Sequence, residues 1–191
     1  MPNDTGVKIT KNNLKDVLAA VMALASSEVL VGVPEETTDA REAEPGEKPI
    51  TNAALAYIHD NGAPESGIPA RPFMLPGMQS AEKEVEKHLS GAMKAAMRGN
   101  ATMAEGQMQA AGLRAQLGIQ NKIKEGIPPP LALSTLKRRA AKGRKGAAYE
   151  LERLGKGLDP IAGMQLAKPL IDTGDMLKSI KFVIRSRKKR K

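Results

Sequence analysis

From residue 102 to residue 125 the chain runs for about seven helical turns without a proline. Met108, Ala111, Ala115, Ile119 and Ile123 return to one face of that helix. The stripe is narrow and built largely of small or flexible side chains. Such a helix buries enough surface only when another helix comes close, as in a helical hairpin or an intersubunit rib. A partner precedes it. Ser80 is placed to cap a helix with Glu82 and Glu84 in its first turn, and Val85, Leu89, Met93 and Ala96 share one of its faces. Gly99 and Asn100 end or interrupt this pattern, and Gly126 with Pro128, Pro129 and Pro130 stops the longer one. The methionines read as core filler rather than as a promiscuous binding groove.

Composition limits what surrounds this pair. Of 191 residues only 39 are Leu, Ile, Val or Phe, whereas 27 are Ala, and the aromatics are two Phe and two Tyr. A large self-sufficient β-sandwich or barrel is not expected from so few bulky side chains. A helix-rich protein with a small core, completed by neighbouring subunits, is.

Shorter elements flank the long helices. Leu14, Val17, Leu18, Val21 and Ala25 give a helical pattern over residues 11–26, with Thr10 or Asn12 as its cap. Residues 29–33 are a β-branched run stopped by Pro34, which predicts a strand, and Gly32 suggests a bulge or a close backbone approach. Residues 34–50, with three prolines and six acids, read as a mobile loop. Thr51 caps a short helix over residues 52–59, and Gly62 ends it. Residues 62–77 are an irregular stretch stiffened by Pro64, Pro69 and Pro72. A short basic helix is expected over residues 134–141. Residues 142–168, with five glycines, read as a loop holding one helical turn near Tyr149. Asp172 or Thr173 caps a last short helix carrying Met176, Leu177 and Ile180, and residues 180–184 form a final strand.

Charge is local. The formal net charge is +9, yet six basic residues lie between Lys137 and Lys145 and six more between Arg185 and Lys191, so the remainder carries −3. From Glu35 to Glu47 six acids face Arg41 alone. A basic terminus attracts a polyanion or an acidic protein surface, or is simply a solvated end.

No constellation points to catalysis, a metal or a cofactor. Cysteine is absent, and His59 and His88 are too few and too scattered for a histidine metal motif. No phosphate-binding glycine loop and no nucleophile elbow occurs. Asp172 and Asp175 are explained by a helix start, and a Ser179, His59 and Asp triad has no supporting motif. Base-stacking aromatics are nearly missing, so nucleic acid would be met by phosphate attraction without readout. Met1-Pro2-Asn3-Asp4 lacks the plan of a signal peptide, and the longest apolar run, residues 17–25, falls short of the roughly 20 residues that span a bilayer. A soluble protein not exported by that route is expected.

Three segments taken in order carry a resemblance. They are Val31-Gly32-Val33-Pro34 at the end of a strand; Ala56-Tyr57-Ile58-His59-Asp60-Asn61-Gly62 followed by Ile68-Pro69-Ala70-Arg71-Pro72-Phe73-Met74 and a long helix; and Lys168-Pro169-Leu170-Ile171-Asp172-Thr173-Gly174-Asp175-Met176-Leu177-Lys178-Ser179-Ile180 before the last strand. In this order they resemble the minor tail and neck proteins of tailed bacteriophages, of the tail-completion or virion-morphogenesis type. The match covers roughly residues 28–125 and 168–185 and leaves out the acidic loop, the glycine-rich stretch and the basic terminus.

The resemblance implies a virion structural protein of the tail or neck, made in the host cytoplasm, that completes the head-proximal end of the tail. It would form a ring of copies of itself, a hexamer, between a tail terminator or tail tube protein and head connector proteins, near the DNA that passes through the neck. In that setting Arg71 donates hydrogen bonds to a facing carboxylate or to carbonyls, Phe73 anchors a core or an interface, and Asp172, Thr173 and Gly174 shape a capped turn. Arg185, Arg187, Lys188, Lys189, Arg190 and Lys191 would meet a partner. The expected architecture is α+β: a small mixed or antiparallel sheet with long helices on one face, in a single domain over residues 1–191. It carries mobile insertions at 35–49 and 137–167 and a basic tail at 185–191. No catalytic, cofactor-binding or metal residue is expected, and no membrane partner. The alternative function is a nucleic-acid-binding accessory protein that uses the basic tail; a hydrolase using Ser179 or Asp172 is the third.

Overall fold

The computed structural model describes residues 13–34, 50–159 and 167–187. Two long antiparallel helices dominate it, α3 (Met74–Met97) and α4 (Ala101–Glu125). Their side chains explain the closeness of the pair. Gly77, Ala81, Ala92, Ala95 and Ala96 are the buried residues of α3, and Ala104, Met108, Ala111, Gly112, Ala115, Gly118, Ile119 and Ile123 those of α4. At the crossing, a β-carbon on Gly77 would stand 2.5 Å from Ile119 Cα, and one on Gly118 would stand 2.5 Å from the Gly77 carbonyl oxygen. Backbone meets backbone there. His88 Nδ1 adds a polar tie 2.8 Å from Gln107 Oε1. The hairpin turns at Gly99, and the Asn100 side chain accepts from Met103 N at 2.9 Å to start α4.

The remaining elements pack along this hairpin. α1 (Leu14–Ala25) lies over its turn end, where Ala20, Val21 and Leu24 meet Ala95, Ala96 and Ala104. β1 (Ser27–Gly32) and β2 (Lys181–Ser186) pair antiparallel in an unbroken register from Ser27 opposite Ser186 to Gly32 opposite Lys181. One face of this ribbon rests on α4: the Phe182 ring occupies the space that a side chain at Gly112 would fill, and Phe182 N donates to Gln116 Oε1 at 3.1 Å. Gln120 Nε2 donates to the carbonyls of Leu177 and Ile180. Two glutamines of α4 thus satisfy the backbone where α7 (Asp175–Ser179) hands over to β2.

α2 (Asn52–Asn61) and α7 close the other end of the hairpin. Ala56, Phe73, Ile119, Ile123, Ile127, Leu170, Met176 and Ile180 are buried together there, with Val31, Val33, Met74 and Leu177 against them. A second hairpin, α5 (Leu133–Ala141) and α6 (Lys145–Gly155), has its own small core of Leu136, Ala147 and Ala167. The fold is α+β: mostly helical, with one small two-stranded antiparallel sheet.

Several expectations need correction. α3 begins at Met74, ahead of Ser80, whose hydroxyl donates back to the Gly77 carbonyl at 2.7 Å. Pro76 sits in its first turn, where a missing N–H costs nothing. Leu89 and Met93, taken as part of the buried face of α3, are exposed. Residues 142–155 are not a loop with one turn; α6 occupies Lys145–Gly155, so the described part of the stretch 137–167 is largely a helical hairpin. Asn13, without a side-chain bond, stands at the start of α1. No bulge occurs at Gly32. Thr10, Asn12, the acidic segment 35–49, residues 160–166 and Lys188, Lys189, Arg190 and Lys191 lie outside the described residues.

Candidate functional site

The segment after α2 is built to turn back on itself. Gly62 has φ +80°, and a β-carbon there would stand 2.7 Å from Ala70 N, so only glycine lets the two backbones approach. Ala63 and Ile68 exchange two backbone hydrogen bonds, and Arg71 N donates to the His59 carbonyl at 2.8 Å. Asp60 completes the turn: its Oδ1 accepts from Phe73 N at 2.7 Å and from Met74 N at 3.0 Å. α3 is therefore capped by a carboxylate from the end of α2, which also complements the helix dipole. Replacing Asp60 by Ala is expected to cost about 0.5–2 kcal/mol, and Asp60→Asn less because it keeps an acceptor. Urea denaturation of both variants measures this, and equal losses would show that the acceptor oxygen is not what matters.

This turn fixes Arg71 and Phe73. Phe73 has no exposed surface and is a core residue. Arg71 is 5% exposed. Its Nε and Nη2 donate to the Pro129 carbonyl at 3.1 and 2.9 Å, and Nη2 also to that of Pro130 at 3.2 Å. Carbonyls, of the two acceptor types expected, are its partners, and the fork ties the start of α3 to the proline stop after α4. Burial, and secondarily the nearby Arg139, hold the Arg71 pKa below its ordinary value.

Arg139, on α5, does a parallel task. Its Nη1 donates to the carbonyls of Lys168 and Ile171 at 3.0 and 2.8 Å. These two bonds bracket Leu170, a buried residue with φ +66°. A left-handed leucine is an outlier that persists only where its surroundings impose it. The Arg139 pKa is lowered by burial, against the raising effect of Asp172 and with the further lowering effects of Arg138 and Arg144.

Asp172 does not cap α7 as expected. Gly174, at φ +87°, holds the cap position, and the side chain that reaches the first N–H of the helix is that of Thr173. Asp172 turns instead to the arginines: its Oδ1 is 3.1 Å from Arg144 Nε and 3.8 Å from Arg139 Nε. Thr173 Oγ1 pairs with the Asp175 carboxylate and accepts from Asp175 N at 3.4 Å. With a partly exposed, shared ion pair in place of a cap, Asp172→Asn is expected to change stability by no more than about 1 kcal/mol. A larger loss in thermal or urea unfolding would return Asp172 to a structural role.

Together these residues frame a cleft of about 720 Å³ between the turn after α2 and α5. His59, Arg71, Arg138, Arg139 and Asp172 line it, among apolar side chains that include Leu55, Ile68, Leu131 and Leu170. Ser179 does not line it; its hydroxyl is buried and donates to the Met176 carbonyl at 2.8 Å. Of the expected basic partner-binding residues, Arg185 belongs to β2 and pairs with Glu28 at 2.7 Å, while Arg187 N donates to the Ser26 carbonyl, so the strand runs further than residue 184. Asp60, Arg139 and Arg144 were not singled out from the sequence. Arg139 and Arg144 stand inside the basic run from Lys137 to Lys145, where nothing in the sequence marks them off from their neighbours.

Among the described residues no group of three metal-ligating side chains occurs, and no helix is long and apolar enough to cross a membrane. Compared with protein-family models, with curated proteins and with solved structures, the chain matches none.

Proposed function

We propose that this protein is a structural component of a tailed-phage virion, completing the head-proximal end of the tail and joining it to the head connector as a ring of identical subunits. The observation that carries the reading is where the three resembling segments go. Val31 and Val33, Ala56 with Phe73 and Met74, and Leu170, Met176, Leu177 and Ile180 all enter one hydrophobic cluster. Residues far apart in the chain thus behave as one architectural unit, as the resemblance implies. Surface character also favours assembly: Leu14, Leu18 and Met22 form an exposed stripe on α1, and Leu89, Met93 and Met97 another on α3. Stripes of this kind on a small-cored subunit suit burial against neighbours. Antibody labelling of purified virions tests the location. Label at the head–tail junction is the expected result, and virions that lack the protein would contradict it.

The nucleic-acid alternative rests on the basic tail, of which Lys188, Lys189, Arg190 and Lys191 lie outside the described residues; the described arginines lend it little support. Arg71 and Arg139 bond to carbonyls, and Arg185 and Arg144 pair with acids. A gel shift on generic duplex DNA that collapses steeply with salt would support that reading.

A further inference from the structure

The arginine-lined cleft is more positive than its internal bonding requires. Its ionised side chains are Arg71, Arg138, Arg139 and Asp172, three cations against one anion. That one carboxylate is already shared with Arg144, which lies outside the cleft. Among the described residues no carboxylate pairs with Arg71 or Arg138. Like charges crowded beside apolar walls are unfavourable unless an anion joins them. The walls restrict what kind of anion. The cleft is far larger than one inorganic oxyanion, and much of its lining is aliphatic or proline. No Phe, Tyr or Trp lines it, so it lacks the broad aromatic platform on which nucleobases stack best. An extended peptide that alternates carboxylates with small apolar residues fits both the charge and the walls: the exposed Arg138 is there to pair with a carboxylate, while Arg71 and Arg139, held by carbonyls, add their charge to the cleft's field.

We propose that this cleft docks the acidic segment carried by residues 35–47 of this chain. The chain carries a complementary sequence: residues 35–47 hold six acids against Arg41, with Glu42-Ala43-Glu44-Pro45 alternating charge and small apolar groups. The inference does not depend on the virion reading. An acidic peptide is bound or not bound whatever larger particle the protein belongs to, and antibody labelling of virions decides that question separately.

The test uses a fluorescent peptide of residues 34–50. The receptor is the full chain with Glu35→Gln, Glu36→Gln, Asp39→Asn, Glu42→Gln, Glu44→Gln and Glu47→Gln, so that its own segment does not compete. Anisotropy should show saturable binding. The Arg138 side chain makes no hydrogen bond or ion pair within the described structure, so Arg138→Glu should keep the fold, which circular dichroism checks, and should weaken binding about tenfold or more. Arg98→Glu makes the same charge change outside the cleft and should leave the affinity within about twofold. A peptide with all its acids amidated should not bind. Equal weakening by Arg98→Glu and Arg138→Glu would mean diffuse attraction to a basic protein and would overturn the proposal. So would binding of the amidated peptide, or no binding of the acidic one. Inorganic phosphate that binds in an Arg138-dependent way while the peptide does not would make the cleft a phosphate site and would equally overturn it.

Discussion

Gly118→Ala is expected to destabilise the protein by about 1–3 kcal/mol, although alanine is the better helix former by about 1 kcal/mol. The reason is the α3–α4 crossing. A β-carbon at residue 118 would lie 2.5 Å from the Gly77 carbonyl oxygen and 2.7 Å from Ala81 Cβ, so the helices must separate. Separation loosens the cluster around Ile119 and Ile123, which holds α2, α7 and β1 in place. Gly106, on the same helix, has open space where its side chain would go. There the same substitution is expected to stabilise by about 0.5–1 kcal/mol. Opposite signs on one helix isolate packing from propensity, and urea midpoints for the two variants give the comparison directly. Stabilisation by both would mean that the helices do not cross this closely.

Arg71→Met is expected to cost about 1–3 kcal/mol, because it removes charge-assisted bonds from a buried side chain to the partly exposed carbonyls of Pro129 and Pro130. Methionine keeps most of the side-chain volume, so the loss reports hydrogen bonding rather than a cavity. Arg71→Lys should fall between the two, since one ammonium cannot reproduce the fork that reaches Pro129 twice and Pro130 once. Chemical denaturation measures both. If Arg71→Met is neutral, the tie between the start of α3 and the end of α4 is not what fixes the proline segment.

How far the sequence foretold this structure differs between the two long helices, and the difference has a physical cause. On α4 the spacing of Met108, Ala111, Ala115, Ile119 and Ile123 marks the face that is buried. On α3 the same logic favoured Leu89 and Met93, which are exposed, while Gly77, Ala81, Ala92 and Ala95 are inside. Where helices cross backbone to backbone, the smallest residues mark the contact, and a ranking by hydrophobicity looks at the wrong face. α6 was hidden for a related reason. Gly146 and Gly155 and the mixed charges suggested a loop, although Ala147, Leu151 and Leu154 carry the helical period.

The site was readable where interactions are local and opaque where they are not. Thr51 and Gly62 bound α2 as expected, because both act within a turn of their own position. Asp60 caps a helix that starts well beyond it, and Arg71 finds its carbonyls after α4, so neither pairing leaves a spacing to recognise. Asp172 followed a cap pattern in sequence and was drawn to Arg139 and Arg144 instead, since an ion pair with two guanidinium groups competes with a single backbone N–H. The convergence of Arg71, Arg138 and Arg139 on one cleft is a property of the tertiary fold alone.

The central claim is that this subunit joins tails to heads, and joining can be measured directly. Infected-cell extracts made with the gene disrupted should contain filled heads and separate tails. Adding the purified protein should convert them to joined, infectious particles, counted by electron microscopy and plaque titre. Particles that join normally without the protein would contradict the account, as would heads and tails that stay separate after it is added.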